Sequence, residues 1–119
     1  MHVIERVLPD GTALQSFEGR EHSSGVSIIF VSTSEVGAGP YRHEHPYSET
    51  FVIHAGSALF TVGKQQVTAV AGQVLVVPAY TPHKFSVLPS GLFESTNIHA
   101  NDTFITTWLE GPQADPLAS

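Results

Sequence analysis

GAGPYRHEHPYSETFVIHAG, residues 37–56, is the stretch on which the reading turns. His43 and His45 stand two apart, and on an extended strand residues i and i+2 leave the same face with Cα atoms roughly 6.5–7 Å apart. Two imidazoles so placed suit adjacent positions on one ion. Pro46 and Tyr47 turn or bulge the chain, after which Glu49 opens a second extended run with Phe51 and Ile53 on its side of the sheet. Glu49 can then face the histidine pair. Arg42 and Glu44 alternate with the histidines and point away from them.

Outward from this stretch the chain is a series of short β-rich runs. VSIIFV, Val26–Val31, ends at the polar cluster Ser32-Thr33-Ser34. Phe51–His54, Ala58–Val62, Val67–Val70, Val74–Val77, Lys84–Leu88, Phe93–His99 and Thr103–Leu109 follow as further strands. Gly56, Gly63-Lys64, Gly72-Gln73, Pro78, Pro82 and Pro89 punctuate them, and Gly63 suits a hairpin turn. No stretch joins helical periodicity to caps over a helix-like length. The expectation is an all-β fold of about eight to ten short strands, rolled into a double-sheet barrel that covers most of its own edges. One domain should span residues 1–110, with Gly111–Ser119 as a mobile tail.

Composition narrows the function. With 41% hydrophobic and 13% charged residues the 119-residue chain can bury a core and is too weakly charged to be disordered. Its net charge of −6 has the wrong sign for neutralising a nucleic-acid backbone. The absence of cysteine excludes disulfides and thiolate ligands, so any metal must use histidine and carboxylate. No window approaches the ~20 apolar residues of a membrane helix, and the expected compartment is the cytoplasm.

A lone His-x-His is more often a solvated strand pair than a ligand set, a lone glutamate a surface carboxylate, and His83 alone a turn residue. Together they read differently. Gly37, His43, His45, Glu49 and Gly56 fall in register with the first motif of the cupin superfamily, which the stretch resembles. Residues 72–87, GQVLVVPAYTPHKFSV, are similar to the second motif through Gly72, Pro78 and His83. Tyr80 stands where that motif has glycine, and Val87 where it has asparagine. A turn needing positive φ at residue 80 would cost about 1–2 kcal/mol or differ in shape.

The resemblance implies a double-stranded β-helix, or jelly roll, with a six-stranded core extended by outer strands. It also implies one divalent transition metal per chain held by His43, His45, Glu49 and His83, and a homodimer, to which the edges of an open roll would contribute. Fe(II), Mn(II), Ni(II), Zn(II) and Cu(II) all suit such ligands. Among the other residues, Tyr41 would share the ligand face of a regular strand and line the pocket as a proton or hydrogen-bond donor, or else simply pack. Phe51, Ile53, Phe60, Phe85 and Trp108 are core candidates that would wall the pocket near the metal. His99 reads as a substrate contact or an outer partner of the site, against the commoner alternative of a strand-end histidine near solvent.

Four protein ligands on a six-coordinate ion leave room for a small-molecule substrate. The favoured reading is a dioxygenase-like enzyme acting on a keto, enol or diol compound. The alternatives are a redox-neutral isomerase, cyclase or lyase, with Glu49 as a transient base, and a barrel that binds a ligand or metal without turnover.

Overall fold

Phe51, Ile53, Ala58, Phe60, Phe85, Val87 and Phe93 are buried, whereas the residues alternating with them are at least partly exposed. The period-two pattern of the sequence is thus the inside and outside of a barrel. The computed structural model describes residues 1–114. Its strands are β1 (Ser16–Phe17), β2 (Ser27–Thr33), β3 (His43–Glu44), β4 (Glu49–Ala55), β5 (Ser57–Val62), β6 (Gln65–Val70), β7 (Val74–Val77), β8 (His83–Val87), β9 (Phe93–His99) and β10 (Thr107–Trp108). A single 3-10 turn, Gly19–His22, is the only helical element among the described residues.

The strands form two antiparallel five-stranded sheets, ordered β1-β2-β9-β4-β7 and β10-β3-β8-β5-β6. From β3 onward the chain passes between the sheets at every step except the β5–β6 hairpin, which gives the double-stranded β-helix. That hairpin turns on Gly63-Lys64, since Val62 pairs with Gln65. Gly56, between β4 and β5, has a φ of 74°, and a Cβ there would stand 2.5 Å from the Leu92 carbonyl oxygen. No other residue fits that corner without moving the backbone.

Strand register places the site. Across the first sheet, Ser27, His99, Glu49 and Val77 form one row, and Ile29, Asn97, Phe51 and Leu75 form the next. Across the second, Trp108, His43, His83 and Val62 form the facing row. The barrel therefore brings Glu49 and the histidines together from opposite walls.

One expectation changes. The run Thr103–Leu109 contributes only the short β10, because Ile105 spends its backbone groups elsewhere: its N–H donates to the Tyr47 hydroxyl at 3.2 Å, and its carbonyl accepts from His45 Nδ1 at 2.8 Å. Gly111 lies against the Tyr41 ring, so close that an added Cβ would overlap it, and Ala114 N–H returns to the Gly111 carbonyl. Residues 115–119 lie outside the described part.

Tyr80 does adopt the left-handed conformation of the glycine it replaces, with φ 58°. Its side chain is exposed, while its N–H donates to the His45 carbonyl at 2.7 Å. The turn is thus retained against the tyrosine's steric preference because it ties the β7–β8 connection to the ligand segment. Tyr80→Asn should stabilise the protein by about 1 kcal/mol, since asparagine tolerates this region. Tyr80→Val should destabilise it, since a β-branched residue does not. Urea denaturation of the two variants checks both signs.

Candidate metal centre

His43, His45, Glu49 and His83 are all buried, and one ligand atom from each lies within 4.8 Å of the others. Each of the three rings is oriented by its far nitrogen. His43 Nδ1 donates to the Tyr41 carbonyl at 2.7 Å, His83 Nδ1 to the Thr81 carbonyl at 2.8 Å, and His45 Nδ1 to the Ile105 carbonyl at 2.8 Å. A carbonyl oxygen can only accept, so Nδ1 carries the proton in all three. In the neutral rings Nε2 is then a bare lone pair turned inward, the arrangement in which outer hydrogen bonds prepare histidines as ligands.

The carboxylate makes the case for a cation. Glu49 Oε1 lies 3.0 Å from His45 Nε2 and 3.2 Å from His83 Nε2. Neutral rings protonated at Nδ1 place lone pair against lone pair at these distances, and His45 Nε2 has no hydrogen-bond partner. Positive charge is required between them, and a divalent metal supplies it without an added proton. The residues present fit a metal. Burial drives the His43 pKa down to about 4, keeping that ring neutral and available.

His99 is arranged differently, and the alternative of a strand-end histidine near solvent is corrected: it is only 2% exposed, at the end of β9 directly beside Glu49. Tyr47 explains its state. The phenol oxygen accepts from Ile105 N–H, and its hydroxyl hydrogen has one acceptor among the described residues, His99 Nδ1 at 2.7 Å. The His99 proton therefore sits on Nε2, which lies 3.1 Å from Glu49 Oε2, off the line of a good hydrogen bond. His45 and His83 offer lone pairs towards Oε1, and His99 offers N–H towards Oε2. Tyr47, buried by this contact, went unrecognised in sequence because its place after Pro46 reads as a turn.

A cavity of about 250 Å³ opens over the cluster, lined among others by Phe51, Phe85, His99 and Trp108. Ile53 and Phe60 lie in the core behind it and do not line it. Tyr41 is corrected as well. It is 57% exposed and outside the cavity, because the chain bends at Arg42, so the regular strand that would have put Tyr41 beside His43 starts only at His43. Its contribution is the carbonyl that orients His43. The lining also includes Ile29, Val31, Phe104 and Asn97, which the sequence reading missed.

His45→Ala should lose most bound metal while the barrel stays folded, since the apolar core lies elsewhere. Tyr47→Phe should retain the site but weaken metal affinity by about tenfold or more, as loss of an outer partner does. Elemental analysis after dialysis against a graded chelator, with circular dichroism for the fold, separates the two. Full metal retention in His45→Ala would defeat the site assignment.

A family model described as the cupin domain matches residues 30–91. Among curated proteins no sequence matches. Among solved structures, a cupin superfamily protein from Desulfitobacterium hafniense is 27% identical over 63% of this chain and 66% of its own, with a TM-score of 0.57. An RmlC-like cupin family protein from Methanocaldococcus jannaschii is 18% identical, covering 66% of this chain and 72% of that one, with a TM-score of 0.60. An oxalate decarboxylase mutant from Bacillus subtilis is 20% identical over 79% of this chain but 27% of its own, with a TM-score of 0.69. The last two likenesses bear on fold alone. The chain thus spans just under two thirds of the first of these proteins and about a quarter of the decarboxylase.

Proposed function

The chain belongs to the cupin family, and from that premise we propose that it is a metal-dependent enzyme acting on a small keto, enol or diol compound, with His43, His45, His83 and Glu49 as ligands. The observation that carries this reading is the set of inward Nε2 lone pairs around one carboxylate oxygen at the floor of an apolar cavity. A bound divalent transition metal supplies Lewis-acid activation of a substrate oxygen and, if redox-active, access to dioxygen. The chain supplies the rest. Fixed imidazoles and Glu49 would hold the ion beside the cavity, the aromatic walls exclude water, and His99 keeps an N–H 3.1 Å from the far oxygen of Glu49.

The dioxygenase-like reading is favoured. A redox-neutral isomerase or lyase is the second reading, and the connected groups Glu49, His99 and Tyr47 beside the cavity support it as proton carriers. Protein purified without chelator should contain about one metal per chain. Iron whose spectrum changes on admission of air supports the first reading. Zinc, nickel or manganese indifferent to air supports the second, and failure to take up any metal on reconstitution defeats both.

A homodimer is part of the proposal. The edge strands β6 and β7 leave Val67, Val70, Val74 and Val76 exposed, which supports pairing between copies. Light scattering at micromolar concentration should give twice the chain mass, and a monomer mass would remove this part of the reading.

A further inference from the structure

From β9, Phe93, Ser95, Asn97 and His99 all point into the barrel. Two polar residues between an aromatic and the metal row are unusual in a core, and burying them without partners would be costly. Ser95 settles half of the account: its hydroxyl donates to Asn97 Oδ1 at 2.8 Å. The carbonyl end of the amide is thereby committed, and the amide nitrogen is left for the cavity that Asn97 lines, with no hydrogen bond to it among the described residues. Asn97 is itself 3% exposed.

The surroundings give this nitrogen its meaning. Ile29, Val31, Phe51, Phe85, Phe104 and Trp108 make the walls apolar, and among the described residues no lysine or arginine lines them. The other polar lining groups lie nearer the metal row: Thr106 Oγ1 accepts from His45 Nδ1 at 3.3 Å and keeps its own hydrogen, and His99 accepts from Tyr47 at Nδ1 and keeps its Nε2–H beside Glu49, so Asn97 is the donor one row farther along the wall. Asn97 sits one row from Glu49 and His99 on the same sheet, a separation of roughly 6.5–7 Å along the strand. A single ring spans that distance. A cavity of about 250 Å³ also falls below the ~300–1,000 Å³ of sites that take drug-sized ligands.

We infer that Asn97 is a specificity-determining residue, and that the cavity takes a compact apolar molecule of one-ring size with paired oxygens at one end and an uncharged hydrogen-bond acceptor at the other. The paired oxygens belong to the metal end, so the inference rests on the proposed metal centre. The acceptor meets the Asn97 amide, which Ser95 holds in the donating orientation. A second anionic end is disfavoured, because no basic residue would neutralise it in the apolar wall.

Two probes isolate this contact. 4-Acetylcatechol and 4-isopropylcatechol share the paired oxygens and nearly the same shape, and only the former carries the acceptor. Calorimetric titration of the metal-loaded full chain gives the ratio of their affinities. Asn97→Leu should lower the preference for the acetyl compound by about tenfold with metal per chain unchanged, and Ser95→Ala should lower it by a smaller factor. If Asn97→Leu fails to fold, Asn97→Ala, which withdraws the donor, carries the same expectation. An affinity ratio unchanged in the Asn97 variant overturns the inference, as does tighter binding of oxalate than of either catechol. Uptake of metal with neither catechol bound overturns this inference and leaves the metal centre standing, whereas failure to take up metal overturns both.

Discussion

Everything at the functional end of this barrel depends on one contact, the approach of Glu49 Oε1 to the Nε2 atoms of His45 and His83 at 3.0 and 3.2 Å. In isolation it is repulsive, an anionic oxygen set against two lone pairs in a buried space. Two backbone carbonyls, those of Ile105 and Thr81, make it so by taking the Nδ1 protons, which removes the option of ring N–H donors facing the carboxylate. The site is therefore organised around a missing positive charge. Tautomer control, more than the presence of histidines, distinguishes it from a buried polar cluster that satisfies itself.

The carbonyls come from irregular backbone, and that irregularity is functional. His43 and His83 each reach the carbonyl two residues earlier, at Tyr41 and Thr81, where the chain is entering a strand and has no ladder partner for that oxygen. His45 reaches across to Ile105, whose N–H is taken by Tyr47, and the same Tyr47 fixes His99. A regular strand through residues 103–106 would have consumed these groups in pairing. Shortening β10 thus leaves one residue to set the proton positions of two histidines.

This also explains what could and could not be read from sequence. Alternation along β4, β5 and β8 is a local property, so the strands and the inward positions of Phe51, Phe60 and Phe85 were legible from residue order. The ligand set was legible because His43, His45, Glu49 and His83 keep the spacing of the two cupin motifs. Tyr41 was misplaced because its orientation depends on a bend at Arg42 that no side chain announces. Tyr47, His99 and Asn97 depend on tertiary register, the pairing of β9 with β4 and the approach of the 103–106 segment, and a tyrosine after a proline or an asparagine in a strand carries no mark of that. Val74–Val77 reads as a uniformly apolar strand, yet its position at a sheet edge leaves Val74 and Val76 exposed.

The same geometry links the centre to the integrity of the fold. Glu49 and His99 belong to one sheet, His43 and His83 to the other, so an ion among them would cross-link the two walls at the open end of the barrel. At the other end Phe60, Phe85 and Phe93 close the same space by aromatic packing, with ring centroids 5.2 and 5.9 Å apart. One end is held by dispersion and apolar burial, which need no cofactor; the other buries imidazoles and a carboxylate that are costly to desolvate without a cation. Metal affinity and the rigidity of the cavity mouth are therefore coupled, because energy released on binding an ion would also settle the arrangement of the walls that a substrate must meet.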